Sequence, residues 1–261
     1  MRMDNDKLRE QLGGFVEDYR AEMRNEARVF LNRWKGLQRN ANSTRALRVI
    51  IEGIVTKGWR LQNLGKKFKR ITGGQTGWTL DYFRSDAVRG PLEEVKAEAR
   101  VDEFLRQTED TSLREWLAER YAYAVRGEED PHLKGIKGLG PKGRDDMLRS
   151  LGYLKRIPID MHEKRFMIRT GIFHTFADKN GDPDDYDDYH HAMTEFCRVA
   201  LKGRSLRVEG VTLRLSESPG LFDKAVFAHC AKRRVCGLAP KCFDDKGACK
   251  LYGICWWSQK R

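Results

Sequence analysis

Leu133-Lys134-Gly135-Ile136-Lys137-Gly138-Leu139-Gly140-Pro141-Lys142-Gly143-Arg144 sets two glycines around one apolar residue and follows them with a proline. Glycine lets the backbone turn tightly and bring its N–H groups to the surface. Proline suits the first position of a helix, and helical spacing continues through Met147, Leu148 and Leu151. A Gly-x-Gly turn that feeds a helix N-terminus offers backbone donors and the positive end of a dipole to a phosphate. No strand pattern precedes the turn, so a dinucleotide-binding or P-loop reading fails on context.

Downstream runs Ile157-Pro158-Ile159-Asp160-Met161-His162-Glu163-Lys164-Arg165-Phe166-Met167-Ile168-Arg169-Thr170-Gly171. Asp160 with Glu163 three residues later fits a helix capping box. Upstream, residues 5–37 carry Phe15, Tyr19, Met23, Phe30 and Trp34 at helical spacings. The polar stretch Arg39–Thr44 is turn-prone, and Ser43 or Thr44 can cap the next helix. That helix carries the apolar stripe Leu47, Ile50, Ile51, Ile54 and Val55. Gly73, Gly74 and Gly77 mark a loop, helical pattern resumes over 92–107 and 112–125, and residues 126–132 form a polar break. One stretch departs from helix: residues 206–215 alternate around Glu209-Gly210, which predicts a small β-hairpin.

The two motifs together resemble the helix-hairpin-helix Gly-Pro-Asp superfamily of DNA glycosylases, above all its endonuclease III branch. There the hairpin reads Leu-Pro-Gly-Val-Gly-x-Lys and is followed by Val-Asp-Thr-His-Val-x-Arg-Val-x-x-Arg-Leu-Gly. This chain offers Ile136, Lys137, Gly138, Leu139, Gly140 and Lys142, then Asp160, His162, Arg165, Arg169 and Gly171 at matching spacing, and the interval from Lys142 to Asp160 also matches. The resemblance implies that Lys142 stands at the nucleophilic lysine and Asp160 at the obligatory aspartate. It also implies that Lys137, Gly138, Leu139, Gly140, His162 and Arg165 meet DNA.

The chemistry suits those residue types. Cleaving an N-glycosidic bond builds positive charge on the sugar, which a fixed carboxylate stabilises. A lyase then needs an amine to attack C1′ and form a Schiff base, and a lysine at a helix N-terminus, partly desolvated, would more readily supply it. Two plainer roles stay open: Lys142 as a phosphate contact and Asp160 as a helix cap. The family's wedge glutamine has no counterpart in the corresponding stretch Glu52–Lys57, and neither Gln62 nor Gln75 further along is marked as one by a motif, so substrate preference does not carry over.

Five of the six cysteines crowd the last part of the chain, as Cys230, Cys236, Cys242, Cys249 and Cys255, with Cys197 apart. That clustering favours a metal site over a disulfide framework. The spacing Cys236-x5-Cys242-x6-Cys249-x5-Cys255 resembles the family's C-x6-C-x2-C-x5-C 4Fe-4S ligands in its last loop and differs in the first two, so Cys230 can substitute for Cys236. Four thiolates also suit zinc, although zinc sites usually bring cysteines in close pairs, which are missing here. Lys232, Arg233, Arg234, Lys241, Lys246 and Lys250 surround the cysteines and point to a basic, DNA-facing surface.

The chain has 261 residues and a formal charge of +12, with 50 Lys and Arg against 38 Asp and Glu. Such a balance favours a polyanionic partner. No apolar run approaches the roughly 20 residues that a spanning helix needs, and there is no secretory signal or presequence, so an intracellular protein (cytoplasm or nucleoid) is expected. The acidic stretch Asp178–Asp188 begins like a calcium loop but has Pro183 and Tyr189 where the glycine and bidentate glutamate are required. Trp256 and Trp257 are expected to pack the C-terminus.

The expectation is an all-α, two-lobed helix-hairpin-helix glycosylase fold with a C-terminal iron–sulfur cluster loop and one small β-hairpin near 206–215. One lobe would span 45–153 and end in the hairpin. The other would join 1–44 to 154–261 and carry the cluster at 236–255, with substrate in the cleft between lobes. The partner would be double-stranded DNA with a flipped-out base, bound by a monomer away from any membrane. The expected activity is base excision with abasic-site lyase chemistry, an oxidised pyrimidine being favoured by resemblance. The alternatives are a monofunctional glycosylase for mismatched T or U or for 8-oxoguanine, and a non-catalytic DNA-binding module with a structural metal.

Overall fold

The helical periodicity of the sequence is realised in a computed structural model that describes residues 5–55, 69–74, 78–126, 128–178 and 181–259. The protein is mostly helical, and its one sheet among the described residues is a two-stranded antiparallel hairpin. Thr56, Lys57, Gln62, Gln75 and Gly77 lie outside the described residues. No described helix is long and apolar enough to cross a membrane.

By packing, the chain divides into two compact units, one of Met1–Val29 with Leu154–Arg261 and one of Phe30–Tyr153. The helix expected over 5–37 is two, α1 (Asn5–Asp18) and α2 (Arg20–Arg39). They part at Tyr19, whose hydroxyl lies 2.8 Å from Nδ1 of buried His229. The division between units falls within α2 rather than at the polar turn after it, because Leu37 is buried in the core of the second unit and Trp34 packs against that core.

That second unit is built on α3 (Thr44–Val55), which buries Ala46, Leu47, Val49, Ile50, Ile51, Ile54 and Val55. At about 1.5–3 kcal/mol for each large buried aliphatic side chain, this stripe is a main source of its stability. Around it lie α4 (Leu80–Arg84), α5 (Asp86–Glu94), α6 (Glu98–Gln107) and α7 (Leu113–Arg126), then α8 (Pro131–Gly135) and α9 (Pro141–Ser150). The pattern read over 92–107 is interrupted, since Lys96 takes a left-handed φ of 55° and Ala97 is fully buried between α5 and α6. Phe104 and Trp116 meet edge to face at 5.3 Å and pin α6 to α7.

In the first unit an aromatic cluster joins its two chain segments. Phe15 of α1 lies 5.7 Å from both Phe166 and Phe222, and Phe222 lies 5.6 Å from Phe196. Those rings come from α10 (Met161–Thr170), α12 (Tyr186–Ala200) and α13 (Pro219–Phe227), and the short α11 (Ile172–Phe176) follows α10. Between α12 and α13 stands the expected hairpin, β1 (Ser205–Val208) and β2 (Val211–Arg214), paired Ser205 with Arg214 and Val208 with Val211. Its loop is Glu209-Gly210, both at positive φ (49° and 82°), the twist that a two-residue hairpin requires. The chain ends in short 3-10 turns around the cysteines and α14 (Trp256–Gln259).

Candidate functional site

The Gly-x-Gly turn is set from inside the second unit. Asp130 caps α8, its Oδ1 accepting from the backbone N–H of His132 (2.9 Å) and Leu133 (3.2 Å). Its Oδ2 pairs at 2.7 Å with Nε of Arg120, a side chain of α7 with no exposed surface. The turn is closed by the N–H of Leu139 donating to Ile136 O at 3.0 Å and by Arg144 Nε donating to Leu139 O at 2.9 Å. Gly138 holds φ at 98°, which a side chain would strain, and Gly140 caps α9 with Pro141 first in the helix, as the sequence predicted.

Lys137 and Lys142 are exposed, whereas Leu139 is 4% exposed and belongs to the core, so it has only backbone to present. Lys142 stands in the first turn of α9 as an exposed residue.

In the first unit, Asp160 caps α10. Its Oδ1 accepts from the N–H of His162 at 2.6 Å and of Glu163 at 3.4 Å, and Glu163 Oε2 accepts from the Asp160 N–H at 3.1 Å. The capping box is complete, which fixes a half-buried carboxylate at a helix N-terminus, where the dipole favours negative charge. His162 stands edge-on to Phe227 at 5.8 Å, with its Nδ1 buried and unpaired, and Arg165 is half-buried.

What lies behind the cap has no signature in the local sequence. Glu163 is 1% exposed and Asp223 of α13 4% exposed. Burial first, then the carboxylates of Asp223 and Asp160, push the Glu163 carboxyl well above the usual carboxylate range. Its Oε1 has no partner as an acceptor, so a proton there, facing the two acidic neighbours, resolves the crowding. Lys224 Nζ lies 3.8 Å from Asp223 and 3.4 Å from Glu26. A raised carboxyl contributes stability that is full below its unfolded pKa and is lost as pH rises through the folded one. Glu163→Gln, which keeps the shape and a donor, is therefore expected to gain on the wild type as pH rises. Melting curves at pH 5 and pH 8 check this: a gap between the two proteins that fails to widen by a few degrees sinks the assignment of a proton to Glu163.

The cysteines gather in the same unit. Cys242, Cys249 and Cys255 are raised first by burial, and each is raised further by the charge of neighbouring thiolates. For Cys249 the result is about 12. Cys236 is lowered, first by a hydrogen bond from Cys230 and then by Arg169, while Cys230 is raised by that same bond and by burial. Arg169, near the end of α10, pins the loop: its Nη1 donates to Gly237 O at 2.6 Å and lies 3.7 Å from Cys236 Sγ, and the Cys255 thiol donates to Arg169 O at 3.1 Å. His229, held neutral by burial with its pKa lowered to about 4, bridges the Tyr19 hydroxyl and Cys249 Sγ, the latter at 3.6 Å. Among the described residues no three His, Cys, Asp or Glu side chains converge as ligands of a single ion do. The donor set nonetheless fits a cationic thiolate-bound group, since gathered thiols that repel one another as anions gain most from metal charge.

The cations expected around this loop, Lys232, Arg233, Arg234, Lys241, Lys246 and Lys250, are all exposed. Trp256 stacks on His174 at 4.9 Å, and Trp257, 43% exposed, covers the Arg169 guanidinium at 4.8 Å. No protein-family model matches the chain, and neither do curated proteins or solved structures.

Proposed function

We infer that the protein is a base-excision DNA glycosylase with abasic-site lyase activity, of the helix-hairpin-helix Gly-Pro-Asp type and its two-lobed fold, acting inside the cell as a monomer on duplex DNA. The observation that carries this is the Asp160 carboxylate, fixed by a complete capping box at the N-terminus of α10 in the sequence context described above. Support comes from a glycine turn that opens a second helix with Lys137 and Lys142 exposed beside it. The formal charge of +12 fits the polyanionic partner.

In this reading Asp160 faces the sugar of a flipped-out nucleotide and stabilises the cation that develops as the base leaves. Lys142 Nζ, as the neutral amine after giving a proton to solvent, bonds to C1′ as the base departs; opening of the C1′–O4′ bond, with O4′ taking up a proton, gives the Schiff base, and loss of a C2′ proton then breaks the bond from C3′ to its phosphate oxygen. Gly138, Leu139 and Gly140 contribute backbone toward phosphate, with Lys137, His162 and Arg165 as further DNA contacts. Cys236, Cys242, Cys249 and Cys255 would hold a 4Fe-4S cluster, with Cys230 able to replace Cys236; when bound it neutralises the thiolate charges and braces the basic loop. A brown preparation with iron–sulfur absorption supports that ligand assignment, whereas a colourless one with bound zinc rejects it.

The exposure of Lys142 favours a second reading, a monofunctional glycosylase in which this lysine only meets phosphate. Borohydride trapping on duplexes that each carry one lesion or an abasic site separates the two. A covalent band absent with Lys142→Ala is the expected result, an oxidised pyrimidine being the first lesion to test. Base release without any band leaves the monofunctional enzyme, and neither base release nor a band leaves a binding module.

A further inference from the structure

Strand alternation sorts the residues of the hairpin. Leu206 is fully buried, Val208 is 4% exposed, and Leu213 is half-buried opposite Leu206. The alternate positions, Ser205 and Arg207 on β1 with Thr212 and Arg214 on β2, are all exposed. Register pairs Ser205 with Arg214 and Arg207 with Thr212, so the solvent face carries two arginines on a diagonal and a hydroxyl opposite each. Diagonal neighbours on one face lie about 7–8 Å apart, too far to repel strongly in water yet near enough to grip successive charges of one polymer.

Beside this face opens a cavity of about 500 Å³, lined by Lys202, Arg204, Ser205, Thr212 and Arg214 among others. Arg204 is held against α1, where a Cβ on Gly13 would meet its guanidinium at 2.7 Å. Glu217, also on the rim, pairs with Arg214 at 3.1 Å, but both side chains are more than half exposed and such a pair is worth little. A phosphate can displace that carboxylate, because a guanidinium presents the same paired donors to either.

We propose that the outer face of the hairpin, with the cavity at its root, is a binding surface for the phosphodiester backbone of duplex DNA, separate from the Gly-x-Gly turn. The proposal rests on the DNA-binding part of the reading above but not on catalysis. The side chains on offer are cations and hydroxyls, with Glu217 the one carboxylate among the lining residues and already paired with Arg214, so the surface reads backbone rather than sequence.

The test is binding of an undamaged random-sequence duplex over a salt series, by fluorescence anisotropy. Arg207→Gln with Arg214→Gln is expected to weaken binding about tenfold and to flatten the slope of log K against log salt by about 1.8, two phosphate contacts at about 0.9 each. Arg207→Lys with Arg214→Lys should keep most of the slope. Both sites are exposed, so the melting temperature should hold and serves as the folding control. A glutamine pair that binds like the wild type overturns the proposal. If Lys137→Gln still weakens binding in that case, the wider DNA reading survives. Tighter binding to a single-stranded RNA, lost equally in the glutamine pair, overturns the assignment to duplex DNA.

Discussion

Replacing Asp160 by Asn is expected to cut base excision about a thousandfold, the scale seen when a preorganised electrostatic group is removed, while the protein stays folded. The two effects separate because the observed cap and the proposed catalytic role make different chemical demands. As a cap it needs only an oxygen that accepts from the N–H groups of His162 and Glu163. Asparagine supplies that almost as well as aspartate, so the stability change should stay within about 1 kcal/mol. In the proposed catalytic role it needs full negative charge facing a developing cation, and the amide has none. Asp160→Ala loses both, with about 1 kcal/mol of capping energy added to the activity loss. Single-turnover base release and a thermal melt on the same samples decide the matter. Equal activity in wild type and Asp160→Asn would leave the residue as a cap alone.

The second large effect lies in the unit that carries the Gly-x-Gly turn. Asp130→Ala should destabilise it by about 3–5 kcal/mol, the cost of breaking one side of a buried ion pair. Arg120 has no exposed side-chain surface and lies 5.2 Å over the Trp116 ring, so its charge cannot reach water when Asp130 is removed. Glu119 remains at 2.7 Å, but it is itself half exposed. The same change strips the cap of α8, the helix that leads into the Gly-x-Gly turn. Combining Arg120→Met with Asp130→Asn keeps the cap and removes the buried charge together with its partner. That double variant should recover most of the loss. Urea unfolding compares the three proteins; a fall below about 1 kcal/mol in Asp130→Ala would remove the pair from the account of how the turn is held.

The Asp-Pro-His start of that helix falls at 130–132, inside the stretch that the sequence reads only as a polar break, so the helix was missed. The buried partner was not visible, because nothing in the sequence separates Arg120 from the exposed arginines nearby. Much the same holds across the chain. Local signals were legible wherever the physics is local: Pro141 opening α9, the Asp160 and Glu163 capping box, Gly138 at positive φ, the Glu209-Gly210 hairpin. Signals that depend on distant packing misled. Residues 5–37 have one uninterrupted periodicity, yet the helix breaks at Tyr19, where burial against His229 outweighs the propensity to continue.

By itself the sequence determined the helical class, a small hairpin turning at Glu209-Gly210, and the residues on which the chemical proposal stands. Each of these follows from spacing along a few turns of chain. Tertiary structure alone decided which environment each group meets. It left Lys142 exposed and set Cys236 beside Arg169 and Cys249 beside His229. It also set Glu163 against Asp223, distant in sequence, in a space where only one proton relieves their repulsion. Desolvation and charge pairing depend on what lies across the core, and no local pattern encodes that neighbour.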